Sequence, residues 1–147
     1  MMTEAQLDAL EAAARSWVGT PFCEGTPIKG AGVSCQHAAA EIYFEAQLIK
    51  RFPVPNGPTR YSAAQTRSLI VEWVQQSGLF VQVGGPPQPG DLLGFRVLNV
   101  VHHLMIALRG GRGVHCVSGH GVMILPSIPA AWAKRLEFIW RLRSPGS

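Results

Sequence analysis

Gly32-Val33-Ser34-Cys35-Gln36-His37-Ala38-Ala39-Ala40-Glu41-Ile42 is the stretch on which the reading of this chain turns. Ser34 is a good helix N-cap, because its hydroxyl offers an acceptor to a first-turn N–H that lacks an intrahelical partner. From Cys35 onward Ala38, Ala39, Ile42, Ala46 and Ile49 recur with helical spacing and form a core-facing stripe. The spacing predicts a buried helix whose first position is Cys35. A thiol there lies at the positive end of the helix dipole, which favours the nucleophilic thiolate. The preceding Gly-rich loop, 24–33, lets backbone approach a substrate closely, and a neighbouring N–H would serve an oxyanion. The competing reading is a small buried hydrophobe, a common role for a cysteine outside disulfides.

Upstream, Leu7, Leu10, Ala14 and Trp17 share one face of a helix predicted over 3–17, and Thr3 with Gln6 fits a capping box. Gly19-Thr20-Pro21 ends it. Downstream, Pro53, Pro55, Gly57 and Pro58 mark a loop over 51–59. A third helix is predicted from about 61 to 77, with Leu69, Ile70, Trp73 and Val74 inward and Ser77-Gly78 as its stop. The second half changes character. Residues 80–83 are short and β-like, 84–90 form a turn cluster, and β-rich runs follow at 91–98, 100–108, 113–118, 121–125 and 136–143. Gly110-Gly111 and Ser118-Gly119-His120-Gly121 are hairpin signals. Helices first and strands second predict an α+β fold, with the N-terminal helices packed on an antiparallel sheet from the C-terminal half.

The 147 residues predict one domain over 1–147. With 47% hydrophobic and 15% charged residues, the chain is no disordered charged tail. A net charge of +4 suits an anionic partner without choosing among wall polymer, phospholipid and nucleic acid. No apolar run approaches the ~20 residues of a membrane span. The first residues carry acids and no basic segment, so no secretory signal is predicted and synthesis is expected to leave the protein in the cytoplasm unless another machine exports it. The three cysteines, Cys23, Cys35 and Cys116, are an odd number and predict at least one reduced thiol, with Cys35 the most reactive.

A cysteine nucleophile needs a base, and the β half carries His102, His103, His115 and His120. With these residues in order, the chain resembles the NlpC-type cell-wall peptidases, a papain-like family of cysteine hydrolases. Trp17-Val18-Gly19-Thr20-Pro21-Phe22 looks like the family's Trp-x-Gly-Thr-Pro-Tyr. Gly32 to His37 stands where the family has Gly-Val-Asp-Cys-Ser-Gly. Pro87 to Phe95 is similar to its Pro-x-Pro-Gly-Asp-Leu run, and His102-His103-Leu104-Met105-Ile106-Ala107-Leu108 to its His-hydrophobic-Gly-Ile-Tyr strand. Gly113-Val114-His115-Cys116 and Gly121-Val122 mirror its next hairpin. The resemblance spans about 17–125.

It implies a papain-like fold and a Cys–His–polar site without metal or other cofactor. Cys35 would attack an amide carbonyl in peptidoglycan stem peptide, a histidine would move the proton, and a third polar residue would orient the imidazole. Family spacing favours His103 as the base and His115, twelve residues on, as the third member. His102 and His103 point to opposite faces of a strand. A two-residue Gly110-Gly111 turn would pair His115 with the His102 face. A three-residue loop would restore His103 but leave it about four residues, roughly 13 Å, from His115. The expectation is that His103 faces Cys35 and His102 faces away. Family substrate contacts map onto Ser34 in place of the Asp, Gln36, whose N–H would bind the oxyanion, and Phe22 in place of the Tyr. His37, in place of the Gly, reads either as a group that supports the site from behind or as a surface residue one turn into the helix, and the surface reading is favoured. Asp91 is read as fixing a turn, and Arg141 as part of a solvated basic stretch.

Chains of this type look like enzymes of phage or prophage tails, so peptidoglycan and tail proteins are the expected partners, with no nucleic acid. A secreted effector, an inactive tail-assembly module, or a zinc module drawn from Cys35, His37, His103, His115, Cys116 and His120 are the competing readings.

Overall fold

Thr3 opens α1 (Glu4–Trp17) with a reciprocal cap: its hydroxyl accepts from the Gln6 amide at 3.1 Å, and the Gln6 side-chain carbonyl accepts from the Thr3 amide at 2.9 Å. The computed structural model describes residues 2–25, 27–55, 68–97 and 100–146, and of His102 the backbone alone. Leu7, Leu10, Ala14 and Trp17 form the buried stripe of α1, packed on α2 (Cys35–Glu45). Helix α2 starts where its cap predicts, but it stops at Glu45; Gln47 turns the chain through φ 60°, so Ala46 and Ile49 are buried beyond the helix rather than in it. Helix α3 (Leu69–Ser77) is capped by Ser68 and ended by left-handed Gly78, φ 70°. The segment 61–67 of the expected third helix lies outside the described residues.

Six strands follow: β1 (Phe80–Gln82), β2 (Leu92–Val97), β3 (Val100–Ala107), β4 (Gly113–Val117), β5 (Gly121–Leu125) and β6 (Leu136–Leu142). They form one antiparallel sheet in the order β1-β6-β2-β3-β4-β5. This is the expected α+β architecture. Strand alternation gives the sheet two unlike faces. The inner face carries Leu92, Leu104, Ile106, Val114, Cys116, Val122 and Trp140, which pack with the three helices. The outer face carries Leu93, Phe95, Met105 and Ala107. A short helix that sequence periodicity did not suggest, α4 (Ala130–Ala133), lays Trp132 over that outer face.

Two local irregularities decide where the histidines go. Between Phe95 and Arg96 the β2–β3 register shifts, so that Phe95 faces His103, Arg96 faces Val101, and His102 is passed over. The β3–β4 hairpin then closes through a three-residue 3-10 turn, Arg109–Gly111, in which Gly110 and Gly111 adopt φ 74° and 73°. That turn pairs Met105 with His115. His103 is therefore offset from His115 by the two residues to Met105, not by the four expected.

Arg141 is paired as well as solvated, its side chain 39% exposed. Its guanidinium donates to both carboxylate oxygens of buried Asp91 at 2.9 and 2.8 Å, while Asp91 also accepts from the Gln88 amide at 2.8 Å and so fixes the turn into β2. Across the molecule, Arg109 and Arg112 from the β3–β4 turn reach Glu11 on α1 at 3.1 and 2.6 Å, tying the first helix to the sheet.

Candidate active site

Ser34 behaves as the sequence predicts: its hydroxyl accepts from the His37 amide at 3.4 Å and places Cys35 at the first position of α2. Cys35 packs in the inner core, 5% exposed, together with Leu104 and Cys116. The backbone amides of Leu104 and Gln36 lie near its sulfur and favour its thiolate. The thiol in turn donates to the Gln36 side-chain oxygen at 3.4 Å. Burial pushes the Cys35 thiol up to about 12, and those two amides only partly oppose it. Burial thus works against the helix-terminal effect on which the expectation of a ready Cys35 thiolate rests. Cys116 is also pushed up to about 12 by burial, with its S–H on the Val33 carbonyl at 3.3 Å. Cys23 is the exposed cysteine.

His103 and His115 do come together. Nε2 of His103 and Nδ1 of His115 are 2.8 Å apart, and both rings are buried. They meet on the outer face, however, where His103 packs against Phe95 and both rings lie beside Trp132. Cys35 lies with Leu104 and Cys116 on the inner face. His103 does not cross a cleft to the sulfur, because it alternates with Leu104, whose side chain faces the helices. Desolvation lowers His103 to about 3, with help from the neighbouring His115, and lowers His115 to about 4.

His37 is the residue that sequence reasoning undervalued. It is buried, not a surface group: Nδ1 lies 2.8 Å from Ser34 Oγ, and burial lowers its pKa below the ordinary histidine value against the opposing pull of Glu24 and the Val54 carbonyl. The Gln36 side chain, 2% exposed, donates to the next carbonyl, Pro55, at 3.2 Å. A signal was available, since a histidine three positions after its N-cap lies over that cap. Phe22 is half-buried at the rim, bridged to Val33 beside the Ser34–Cys35 turn. Of the soft ligands named for a zinc module, Cys35 and Cys116 are on the inner side, His103 and His115 on the outer face, His37 in α2 and His120 in the exposed β4–β5 turn, and among the described residues no group of three gathers to hold a metal.

No family model and no curated protein matches the sequence. Solved structures do match. One is a Staphylococcus aureus protein described as similar to lipoprotein, NLP/P60 family: TM-score 0.62, 20% identity, 96% of this chain and 42% of that one. Another is the NlpC/p60 domain of the peptidoglycan hydrolase SagA: TM-score 0.56, 22% identity, 90% of this chain and 96% of that one. A third is an NlpC/P60 family protein from Bacillus cereus: TM-score 0.57, 22% identity, 95% of this chain and 40% of that one. The chain has the NlpC/P60 fold. It spans about two-fifths of the first and third proteins and nearly all of the SagA domain. Within that NlpC/P60 fold, the Cys35 turn packs on β3 and β4, which carry three of the four β-half histidines. Among the described residues, no helix is long and apolar enough to cross a membrane.

Proposed function

We propose that this domain is a cysteine hydrolase that cuts an amide bond in peptidoglycan stem peptide, with Cys35 as nucleophile. The carrying observation is a thiol at the first position of α2, where the Ser34 cap sets it against β3 and β4, in an NlpC/P60 fold. The sulfur attacks the carbonyl carbon, the Gln36 amide donates to the oxyanion, and the leaving amine takes the proton that the base removed from the thiol. Water then cleaves the thioester. For the base we assign His102 rather than His103, since His103 is committed to His115 and Trp132 on the outer face.

The setting we propose is a phage or prophage tail, where tail proteins carry the enzyme to the wall; co-purification of the chain with assembled tails tests it. A second reading, a non-catalytic module of the same assembly, draws on the 5% exposure of Cys35 and its high thiol value. Incubation with purified peptidoglycan, with fragments read by mass, decides between them. Release of new stem-peptide ends by the native chain and none by Cys35→Ala supports the hydrolase; no release by either supports the module.

A further inference from the structure

A cavity of about 250 Å³ lies outside the Cys35 site, between α1, the turn into β2 and the end of β6. Leu7, Pro89, Leu142 and Pro145 give it apolar walls, and Asp91 and Arg141 give it a polar one. Its frame is held from behind. Buried Tyr43, two turns along α2 from Cys35, donates to the Gly90 carbonyl at 2.8 Å. The Gly90 amide donates to the Ala107 carbonyl at 2.7 Å, and the Asp91 amide to the Gln88 carbonyl at 3.0 Å. On the other side, Gln6 Nε2 holds the Pro145 carbonyl at 3.1 Å. A pocket whose walls are set before a ligand arrives loses little to ordering on binding.

Arg141 meets this cavity in a fixed orientation. A guanidinium carries five N–H donors. Nε and Nη2 each give one to buried Asp91, at 2.9 and 2.8 Å, so one edge of the group is clamped. Both N–H groups of Nη1 and the second of Nη2 remain, and among the described residues no acceptor takes them. They make up the edge turned away from Asp91, on a side chain that is 39% exposed. Two parallel N–H groups on such an edge match the two oxygens of a carboxylate.

The remaining charged side chain at the cavity is Glu4, which is exposed and already paired with Arg109 at 2.8 Å. Asp91 and Arg141 together are neutral, so the site selects by paired hydrogen bonds rather than by net charge. The apolar walls are left to take the body of the ligand.

We propose that this cavity binds a carboxylate carried on a small apolar body, such as the C-terminal residue of a peptide. The free edge of Arg141 receives the carboxylate, and Leu7, Leu142 and Pro145 surround the apolar part. A volume of about 250 Å³ falls below that of a pocket for a drug-sized ligand and limits the occupant to a small group. The site stands apart from Cys35 and does not depend on which residue attacks, or on whether the domain cuts an amide at all.

Titration of the isotope-labelled full chain with N-acetyl-alanyl-alanine, and with its C-terminal amide, tests the assignment by amide chemical shifts. The acid is expected to give saturable shifts at Gln88, Asp91 and Leu142 with Cys35 and Cys116 unmoved, and the amide to give none. Arg141→Lys keeps a cation for Asp91 but has no planar edge, and is expected to bind the acid about tenfold more weakly. Glu4→Gln removes a like charge while leaving the Asp91–Arg141 pair intact, so it reads the site even if Arg141→Lys does not fold. It is expected to bind the acid about twofold more tightly. Propionate separates the sources of the carboxylate: binding as tight as that of the peptide acid upholds a site for free small acids, and weaker binding upholds one for peptide ends. Equal binding of acid and amide, no saturable shift around the cavity in the native chain, or an affinity that neither variant changes overturns the proposal.

Discussion

His103 Nε2 and His115 Nδ1 lie 2.8 Å apart on the face of the sheet turned away from Cys35. His115 Nε2 is buried and has no hydrogen-bond partner. An unsatisfied lone pair costs less than an unsatisfied N–H in that place, so Nδ1 of His115 carries the hydrogen and donates to His103. The pair is then a neutral, desolvated prop beneath Trp132, and it makes the outer face sensitive to acid.

Both rings titrate below the ordinary histidine value, at about 3 and about 4, so the unfolded chain takes up protons before the folded one. Stability is complete above the unfolded value of about 6.5 and falls as pH drops from there through 4 and 3. Melting temperature measured from pH 7.5 to 4 is expected to decline across this window. His115→Asn retains a donor near the Nδ1 position and removes one titrating ring, so its decline is expected to be shallower. An unchanged slope would show that the pair does not set the acid response.

Glu11 adds a separate window at lower pH. The Arg109 guanidinium first, and Arg112 after it, hold its carboxyl below the usual range against the effect of burial. Its contribution is therefore present above the unfolded value of about 4.3 and lost as pH falls through the lower folded value. Glu11→Gln is expected to cost about 1–3 kcal/mol at pH 7 in chemical denaturation, because it weakens charge-assisted hydrogen bonds to a buried oxygen. Arg15→Ala breaks only the exposed pair to the same residue and is expected to cost ~0–1 kcal/mol. Equal costs would mean that the link from α1 to the β3–β4 turn carries no special weight.

The frame of this fold was legible because its signals are local. Thr3 with Gln6, and Ser34 before Cys35, announce helix starts, and each β-rich run matched a strand to within a residue or two. What was not legible depends on register. Whether His103 shares the outer face with His115 is settled by the β2–β3 irregularity at Phe95 and by a turn of three residues rather than two. Both are one-residue events, and one residue reverses every side chain on a strand. Likewise the ordinary-looking Ala130-Ala131-Trp132-Ala133 carries no periodicity, yet it supplies the cover that buries His103 and His115.

Gly94 offers a test of the inner core. A Cβ built there would stand 2.7 Å from the Trp140 ring and 3.1 Å from the Val101 side chain. Both neighbours are buried, so neither ring nor valine has space to withdraw. Gly94→Ala is expected to destabilise by about 1–3 kcal/mol through overpacking. A denaturation midpoint equal to that of the native chain would show that Trp140 moves more easily than its packing implies.

The choice of base separates the two adjacent histidines. A general base must reach the proton it removes, and its loss costs ~10²–10⁴ in rate. His103 spends Nε2 on His115 and its ring faces on Phe95 and Trp132, so its role is to hold the outer face. His103→Ala leaves a cavity and strips His115 of its partner; a fall in melting temperature is expected, with hydrolysis per folded molecule retained. His102→Ala is expected to do the reverse, keeping the melting temperature while peptidoglycan hydrolysis drops by ~10²–10⁴. Assays run well below the His103→Ala melting temperature keep unfolding from posing as lost catalysis. If His103→Ala stays folded yet loses hydrolysis while His102→Ala retains it, the base is His103 and the sheet must rearrange in the working state to bring that ring across to Cys35.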